Sequence, residues 1–374
     1  MTFTQPRWRM VYQNFNGVNL GEVLDSHDRQ FSFNLLSPNS IQFTQEIVSS
    51  QVANFLTQKE GYILLYRNNT LAMTAEIASI EVSGSDAGDH AFTVNCMETM
   101  HTRLTKRLVG KSTQGLAGPT TAYDQGSFLM DNLDTLNAVN STSLVQGTTT
   151  PSGTITGGVW RYKPFMELMQ ELSATVAGFD FYQRPRDPSG TGSSPGITGA
   201  IDIKPVIGTT QQDVVFEYGV GAANARAYQW LIHNESIINR AIVLPPEFPD
   251  NAGNKVSTVS DLGSSIIRGI REEVIPSDLS SLTLRNQLAN LHVSLRKAPR
   301  EQFIIQPASV DGSQRVPQFL EDYNVGDMIR GRVQDQSILM LDAMVRIYGV
   351  TVTMSDEGQE TVDLNLINDG AATA

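Results

Sequence analysis

The chain has 374 residues, more than one hydrophobic core usually serves, so two or more domains are expected. It has no apolar run of membrane-spanning length, and Met1-Thr-Phe-Thr-Gln-Pro-Arg-Trp-Arg9 lacks the apolar stretch and cleavage site of a signal peptide; the expectation is a soluble protein folding in a cytosol, without membrane insertion. A formal net charge of -12 argues against a protein built to grip nucleic acid, and a single cysteine, Cys96, excludes an intrachain disulfide or a multi-cysteine metal site.

The first hundred residues read as short strands. Arg7–Tyr12 precedes an Asn16-Gly17 turn signal, and Phe31, Phe33 and Leu35 alternate with polar residues until Ser37-Pro-Asn-Ser40 breaks the run. A strand begins at Ile41, and Tyr62–Arg67 and Leu71–Ile77 flank Asn68-Asn69-Thr70, which predicts a hairpin. In Ala91–Met97, Cys96 shares a face with Phe92 and Val94, the pattern of a buried strand residue rather than a nucleophile.

After Asn95 the period changes. Met97, Met100, Leu104 and Leu108 predict a helix stopped by Gly110, with Arg103, Lys106, Arg107 and Lys111 in its last turns, either complementing the helix dipole or meeting an anionic partner. Residues 112–158, rich in Gly, Ser, Thr and Asn, predict a long loop or partly ordered arm. Beyond Trp160, Pro164–Leu172 places Phe165, Leu168, Met169 and Leu172 on one helical face. The strand 179–182 then joins Gly199–Lys204 through a Gly/Pro/Ser-rich flexible hairpin tip over 184–196.

Strands resume at Asp213–Tyr218 and Ser236–Leu244 and end at Pro245-Pro-Glu-Phe-Pro249. Residues 250–300 read as an α-rich insertion whose surest helix is Ser281–Lys297, with Leu284, Leu288, Leu291 and Leu295 predicted as its buried stripe. Strands return over 301–368, where Val345–Met354 and Glu360–Ile367 form a hairpin through Ser355-Asp-Glu-Gly358.

No catalytic, cofactor-binding or metal-binding residue emerges from this reading. Histidines 27, 90, 101, 233 and 292 show no metal-ligand spacing, and Gly219-Val-Gly221 is a glycine turn rather than a dinucleotide fingerprint. Paired carboxylates remain the one catalytic option a sequence leaves open; Glu321, Asp322 and Asp327 read as turn chemistry around Gly326. Residues 301–374 hold 12 acidic and 4 basic side chains, two thirds of the net deficit, which suits either a solvated face or a passage that must not bind DNA.

Glu321–Ile329 followed by Val345–Leu364 resembles the closing barrel of siphophage minor tail and baseplate hub proteins, with Tyr323, Gly326 and Asp327 at the strand entry. Phe92–Arg107 is similar to the point where such proteins leave their first barrel, and Trp160, Phe216–Gly219 and Asn234 follow in the expected order. The family is related to the hub of contractile phage tails. The resemblance implies a mainly β, α+β chain: two tail-tube-like antiparallel β-barrels, 1–100 and the discontinuous 212–245 with 301–368, plus modules at 101–211 and 246–300 and a tail at 369–374.

It also implies a non-enzymatic homotrimer in the virion, at the tail tip, assembled in the host cytoplasm. Six barrels from three copies would join the sixfold tail tube or distal tail ring to a threefold tip around the DNA channel. The implied partners are the distal tail or tail tube protein ring, the tape measure protein and tail-tip or receptor-binding proteins, with genomic DNA only in passage. Family members with a peptidase or lysozyme extension differ from this chain, which stops just after its last strand, so no wall-degrading activity is carried over. The alternative reading is a carbohydrate-active or host-receptor-binding β protein of the tail; the dispersal of Trp8, Trp160 and Trp230 argues against one aromatic sugar platform.

Overall fold

In the computed structural model, the alternating segments of the sequence become strands. The structure describes residues 7–45, 55, 58–84, 90–111, 116–157, 159–174, 178–189, 196–219, 221, 223–245, 256–279, 281–308 and 316–367. The first group comprises β1 (Trp8–Gln13), β2 (Asn19–Glu22), β3 (Ser26–Asn34), β4 (Ser40–Gln45), β5 (Tyr62–Arg67), β6 (Thr70–Gly84) and β7 (His90–Glu98). They lie antiparallel in the order β3-β4-β7-β6-β5-β1-β2. The predicted β5–β6 hairpin closes with Arg67 opposite Thr70, and both central residues, Asn68 and Asn69, have positive φ (49° and 68°), the geometry asparagine tolerates. Phe92, Val94 and Cys96 share the buried face, and burial pushes the Cys96 thiol pKa far up.

The helix after β7 is shorter than its periodicity predicts. Helix α1 (Thr99–Leu104) stops before Leu108, because Leu108–Val109 (β8) pairs with Lys163–Pro164 (β14). Gly110 (φ 64°) is therefore not the helix stop. A side chain there would put its Cβ 1.9 Å from the Trp160 carbonyl oxygen, so glycine serves a close backbone crossing.

The predicted long loop over 112–158 is instead substantially structured. Within its described residues lie β9 (Leu116–Ala117), β10 (Tyr123–Asp124), helix α2 (Gln125–Val139), β11 (Leu144–Thr149) and β12 (Thr154–Ile155). Asp124 caps α2 by accepting from the Ser127 amide, while Phe128, Leu129, Met130 and Leu133 are buried. Polar composition hid this helix, since its buried apolar residues are confined to Phe128–Leu133 and the second half is exposed or half-buried. Beyond it come β13 (Val159–Trp160), β14 and α3 (Phe165–Ser173), in which Phe165, Leu168, Met169 and Leu172 are all buried as predicted. Strand β15 (Asp180–Pro185) pairs antiparallel with β16 (Gly199–Lys204), and β11 joins β16 in parallel. Part of the 184–196 hairpin tip, 190–195, lies outside the described residues.

The second group contains β17 (Thr210–Tyr218), β18 (Ala225–His233), β22 (Arg300–Pro307), β23 (Met328–Asp335), β24 (Ile338–Met354) and β25 (Glu360–Ile367). Its ladders are antiparallel except for β17 with β23, which run parallel. Between β18 and β22 lie β19 (Arg240–Leu244), β20 (Ser257–Ser260), helix α4 (Leu262–Arg268), β21 (Glu272–Pro276) and helix α5 (Leu282–Arg296). The strand expected over 236–244 begins only at Arg240. It pairs with β20 and β21, so these residues belong to the sheet of the insertion rather than to that of β17 and β18.

The fold is thus mainly β, with a large, predominantly antiparallel sheet and small helices. The two groups are not separate sheets, however: β24 also pairs with β3, from Gly349 opposite Asn34 to Met354 opposite Arg29, giving one 13-stranded sheet. Phe31 and Phe33 from the first group share a core with Val350, Val352 and Leu364 from the second. A second core combines α2 and α3 with Leu284 and Leu288 of α5.

In α5 the buried face differs from the predicted stripe. Leu284 and Leu288 are buried with Ala289 and Val293, Leu291 is half-buried, and Leu295 is 48% exposed. At about 100° per residue the four leucines form one straight stripe, but the buried residues Leu284, Arg285, Leu288, Ala289 and Val293 centre roughly 80° further round the helix, so the stripe runs along the edge of the packed face. Leu288→Ala is expected to cost about 2–5 kcal/mol of stability. Leu295→Ala should change it by less than about 0.5 kcal/mol, both read from chemical unfolding at fixed pH.

Candidate functional site at the junction of the units

Where the β groups and the module after α1 meet, a few buried polar side chains carry the contacts. Arg67, at the end of β5, has a nearly inaccessible side chain. Its guanidinium lies 3.3 Å from Glu321 and 3.5 Å from Glu360 of the second group, and 5.6 Å from the Trp8 ring centroid. The Trp8 indole N–H donates to Glu360 at 2.6 Å, and the Asn68 amide donates to Glu321 at 2.6 Å. These two carboxylates let a cation sit in the interior without an uncompensated charge.

A second bridge links β15 to β24. Arg346 pairs with Asp180 and donates to the carbonyls of Ile207 (2.8 Å) and Gly326 (3.2 Å), while Asp180 also accepts from the Ile207 amide at 2.8 Å. A third contact is uncharged: buried Gln183 accepts from the Met100 amide at 2.6 Å, fixing the start of α1 against β15.

Glu98, where β7 passes into α1, is also buried. It accepts from the Asn39 side-chain amide at 3.0 Å, yet burial dominates and lifts its pKa from 4.5 to about 8, so it is mostly protonated at neutral pH.

Between these contacts runs a cleft of about 610 Å³ bordered by Asn34, Arg67, Asn68, Lys204, Thr209 and Glu321. Its carboxylates are occupied structurally. Asp327 accepts from the Thr209 and Asn324 amides, and Glu321 holds Arg67 and Asn68; Asp322, outside the cleft, accepts from the Gln318 amide. For Asp322 and Asp327 this is the turn chemistry expected from sequence, with Gly326 supplying the bend at φ 94°, whereas Glu321 instead binds side chains of the first β group. No group of three or more His, Cys, Asp or Glu arranged to hold a metal ion occurs among the described residues.

The basic cluster after β7 is likewise partly absorbed. Arg103 pairs with Glu76 at 2.8 Å, and Arg107 donates to the carbonyls of Leu136 and Asn140. Much of the acidic excess of 301–374 points inward or to neighbours: Asp342 pairs with Arg330, Asp335 accepts from the Tyr228 hydroxyl, and Glu360 holds Arg67 and Trp8. Asp356 and Glu357, in the β24–β25 turn, are exposed.

Because Glu98 ionises near pH 4.5 when unfolded but near 8 when folded, its contribution is fully present at low pH and lost as pH rises through that interval. Glu98→Gln is therefore expected to raise the melting temperature at pH 8 and leave it little changed near pH 4. Arg346→Met, which strands Asp180 in the interior, is expected to lower stability by about 3–5 kcal/mol; Arg346→Met with Asp180→Leu should recover most of the loss in chemical denaturation.

No protein-family model matches the sequence, and no curated protein does. Solved structures do match in three dimensions. The 43 kDa tail protein of prophage MuSo2 from Shewanella oneidensis superposes with a TM-score of 0.60 at 10% identity, covering 97% of this chain and 98% of its own. The tail protein from Neisseria meningitidis MC58 gives 0.57 at 10% identity, with 97% of both chains covered. Prophage tail protein gp18 from Listeria monocytogenes EGD-e gives 0.53 at 10%, with 97% and 95% covered. At such identities the likeness concerns the fold, and over nearly its whole length this chain has the fold of phage tail proteins.

Proposed function

We propose that the protein is a structural component of a phage tail, the hub at the tail tip, and that it works as a homotrimer rather than as an enzyme. The observation that carries this is end-to-end fold similarity to three tail proteins of nearly the same extent, in a chain whose junction carboxylates are committed to structural contacts. The two β groups stand as counterparts of tail-tube-like barrels. Three copies then present six such groups, which suits docking on a sixfold ring formed by the distal tail or tail tube protein. The tape measure protein and the tail-tip or receptor-binding proteins are the remaining proposed neighbours, within a virion assembled in the host cytoplasm.

On this reading DNA passes through the ring without being held. A wall poor in Lys and Arg releases few counterions and so gives passing duplex little to bind. Asp356 and Glu357 are the proposed contributors from 301–374, since Asp327, Asp342 and Glu360 are engaged elsewhere. Electron microscopy of purified virions carrying a tagged chain is expected to show the tag at the distal tail end in threefold arrangement. Labelling along the whole tube, or its absence from the tail, overturns the proposal. The purified protein is also expected to leave duplex DNA unshifted at low ionic strength, where attraction to phosphate is strongest.

A further inference from the structure

The two β groups are built on one plan. Strands follow in the order β3-β4-β7-β6-β5 in the first and β18-β22-β25-β24-β23 in the second, and every one of these ladders is antiparallel. Even the irregularities recur. The Ile77 amide donates to the Gly61 carbonyl at 3.0 Å where β6 runs past the start of β5, and the Ile347 amide donates to the Asp327 carbonyl at 2.9 Å where β24 runs past the start of β23. The register then shifts in both, between Ile77 and Ser79 against β7 and between Ile347 and Gly349 against β25. Beyond that shift, Ile80 and Val82 hold the places of Val350 and Val352. On the outer strand Phe31 lies opposite Ile41 and Trp230 opposite Phe303, and those partners lie opposite Cys96 and Leu366. Trp230 and Ile232 therefore hold the places of Phe31 and Phe33.

Within the chain these places make the join between the groups. Strand β3 pairs with β24 where β24 has passed β23, with Phe33 opposite Val350 and Phe31 opposite Val352, and all four side chains are buried. Their counterparts have no such cover. Among the described residues, β6 beyond Ile77 is paired only with β7, and β18 only with β22. Val82 is 51%, Ile232 46% and Trp230 38% exposed, and Ile80 is half-buried. Each chain thus carries both halves of a join that it has already made once, each left as an open strand edge.

We infer that β18 of one copy pairs antiparallel with the open edge of β6 in a second copy, placing Ile232 opposite Ile80 and Trp230 opposite Val82, as β3 pairs with β24 inside each chain. Two different edges meet, so the contact is heterologous; repeated head to tail, it closes into a ring when the rotation per copy allows. Joins within and between chains then use the same pairing, so successive β groups around the ring are similarly related, which is what three copies need to meet a sixfold partner. The inference rests on the homotrimer proposed above and names the strands that would build it.

A cysteine pair, Ile80→Cys with Ile232→Cys, tests the register. Opposed residues of paired strands have Cβ atoms about 4.5–5.5 Å apart, within reach of a disulfide, and the native Cys96 is buried. Mild oxidation is expected to link chains to one another on a denaturing gel, reversibly with reductant. Either cysteine alone is expected to stay unlinked, as is Ile80→Cys with Leu231→Cys, because neighbouring residues of a strand face opposite ways. Single variants Val82→Asp and Ile232→Asp test the energetics by light-scattering mass across a concentration series. A carboxylate buried against an apolar surface is costly, so each is expected to self-associate at least about tenfold more weakly than the natural chain. Mixing them leaves one intact contact, from β18 of the first to β6 of the second, and is expected to give a species of two chains and nothing larger. Both side chains are about half exposed, so melting temperatures are expected to match that of the natural chain as a single copy, and if an aspartate does upset folding the cysteine pair still decides. A natural chain that stays at one 41.0 kDa copy overturns the inference, as do folded variants that assemble normally or a cysteine pair that links no better than its controls. The tail-tip proposal is decided separately by the position of the tag in virions, so normal variant assembly with a distal tag defeats this contact alone.

Discussion

Strand β24 has to satisfy two neighbourhoods with one register. Its first half pairs with β23, and its second half lies between β25 and β3, so the backbone there is hydrogen-bonded on both edges. Side chains alternate faces along a strand, and a slip by one residue would turn Val350 and Val352 out of the shared core while disturbing both groups at once. At Gly349 the ladder to β25 shifts, and a Cβ there would lie 2.8 Å from the Asn34 side-chain oxygen. A side chain there would have to displace the Asn34 amide, while the nearest backbone atom of β3, the Phe33 carbonyl oxygen, would lie at an ordinary contact distance of 3.5 Å.

The buried charges reinforce this join. Arg67 reaches from the first group to Glu321 and Glu360, and Arg346 reaches from β24 to Asp180 of the module. Buried ion pairs add little stability over apolar packing of equal volume, but separating the partners is costly because each charge is then left poorly compensated. Any motion that parts the units meets that penalty. Gln183 and Glu98 extend the same logic to the root of α1, where neither carries a full charge at neutral pH.

The described packing leaves apolar side chains on the outside of the framework. The junction cleft is bordered by groups already serving the fold, whereas helix α4 and the β23–β24 hairpin expose apolar side chains for which the chain's own packing has no use.

Local chemistry was enough to read much of this from sequence. The Asn68-Asn69 and Ser355–Gly358 turns, the alternating strands of both groups, the buried face of α3 and the turn role of Asp327 all depend on residues close together in the chain. The resemblance carried by 92–107, 321–329 and 345–364 led to the tail-protein fold because those segments contain the exit from one group and the close of the other. The tertiary structure decided what depends on distant partners. Helix α2 is specified by burial of Phe128 to Leu133 rather than by periodicity, Leu108 was drawn from helix to strand by Lys163–Pro164, and Leu295 was left exposed because α5 packs through the side carrying Arg285, Ala289 and Val293. Above all, the pairing of β24 with β3 joins residues about 320 apart in sequence. Alternation states that a strand has two faces and two edges, and only the folded chain determines which neighbour lies along each edge.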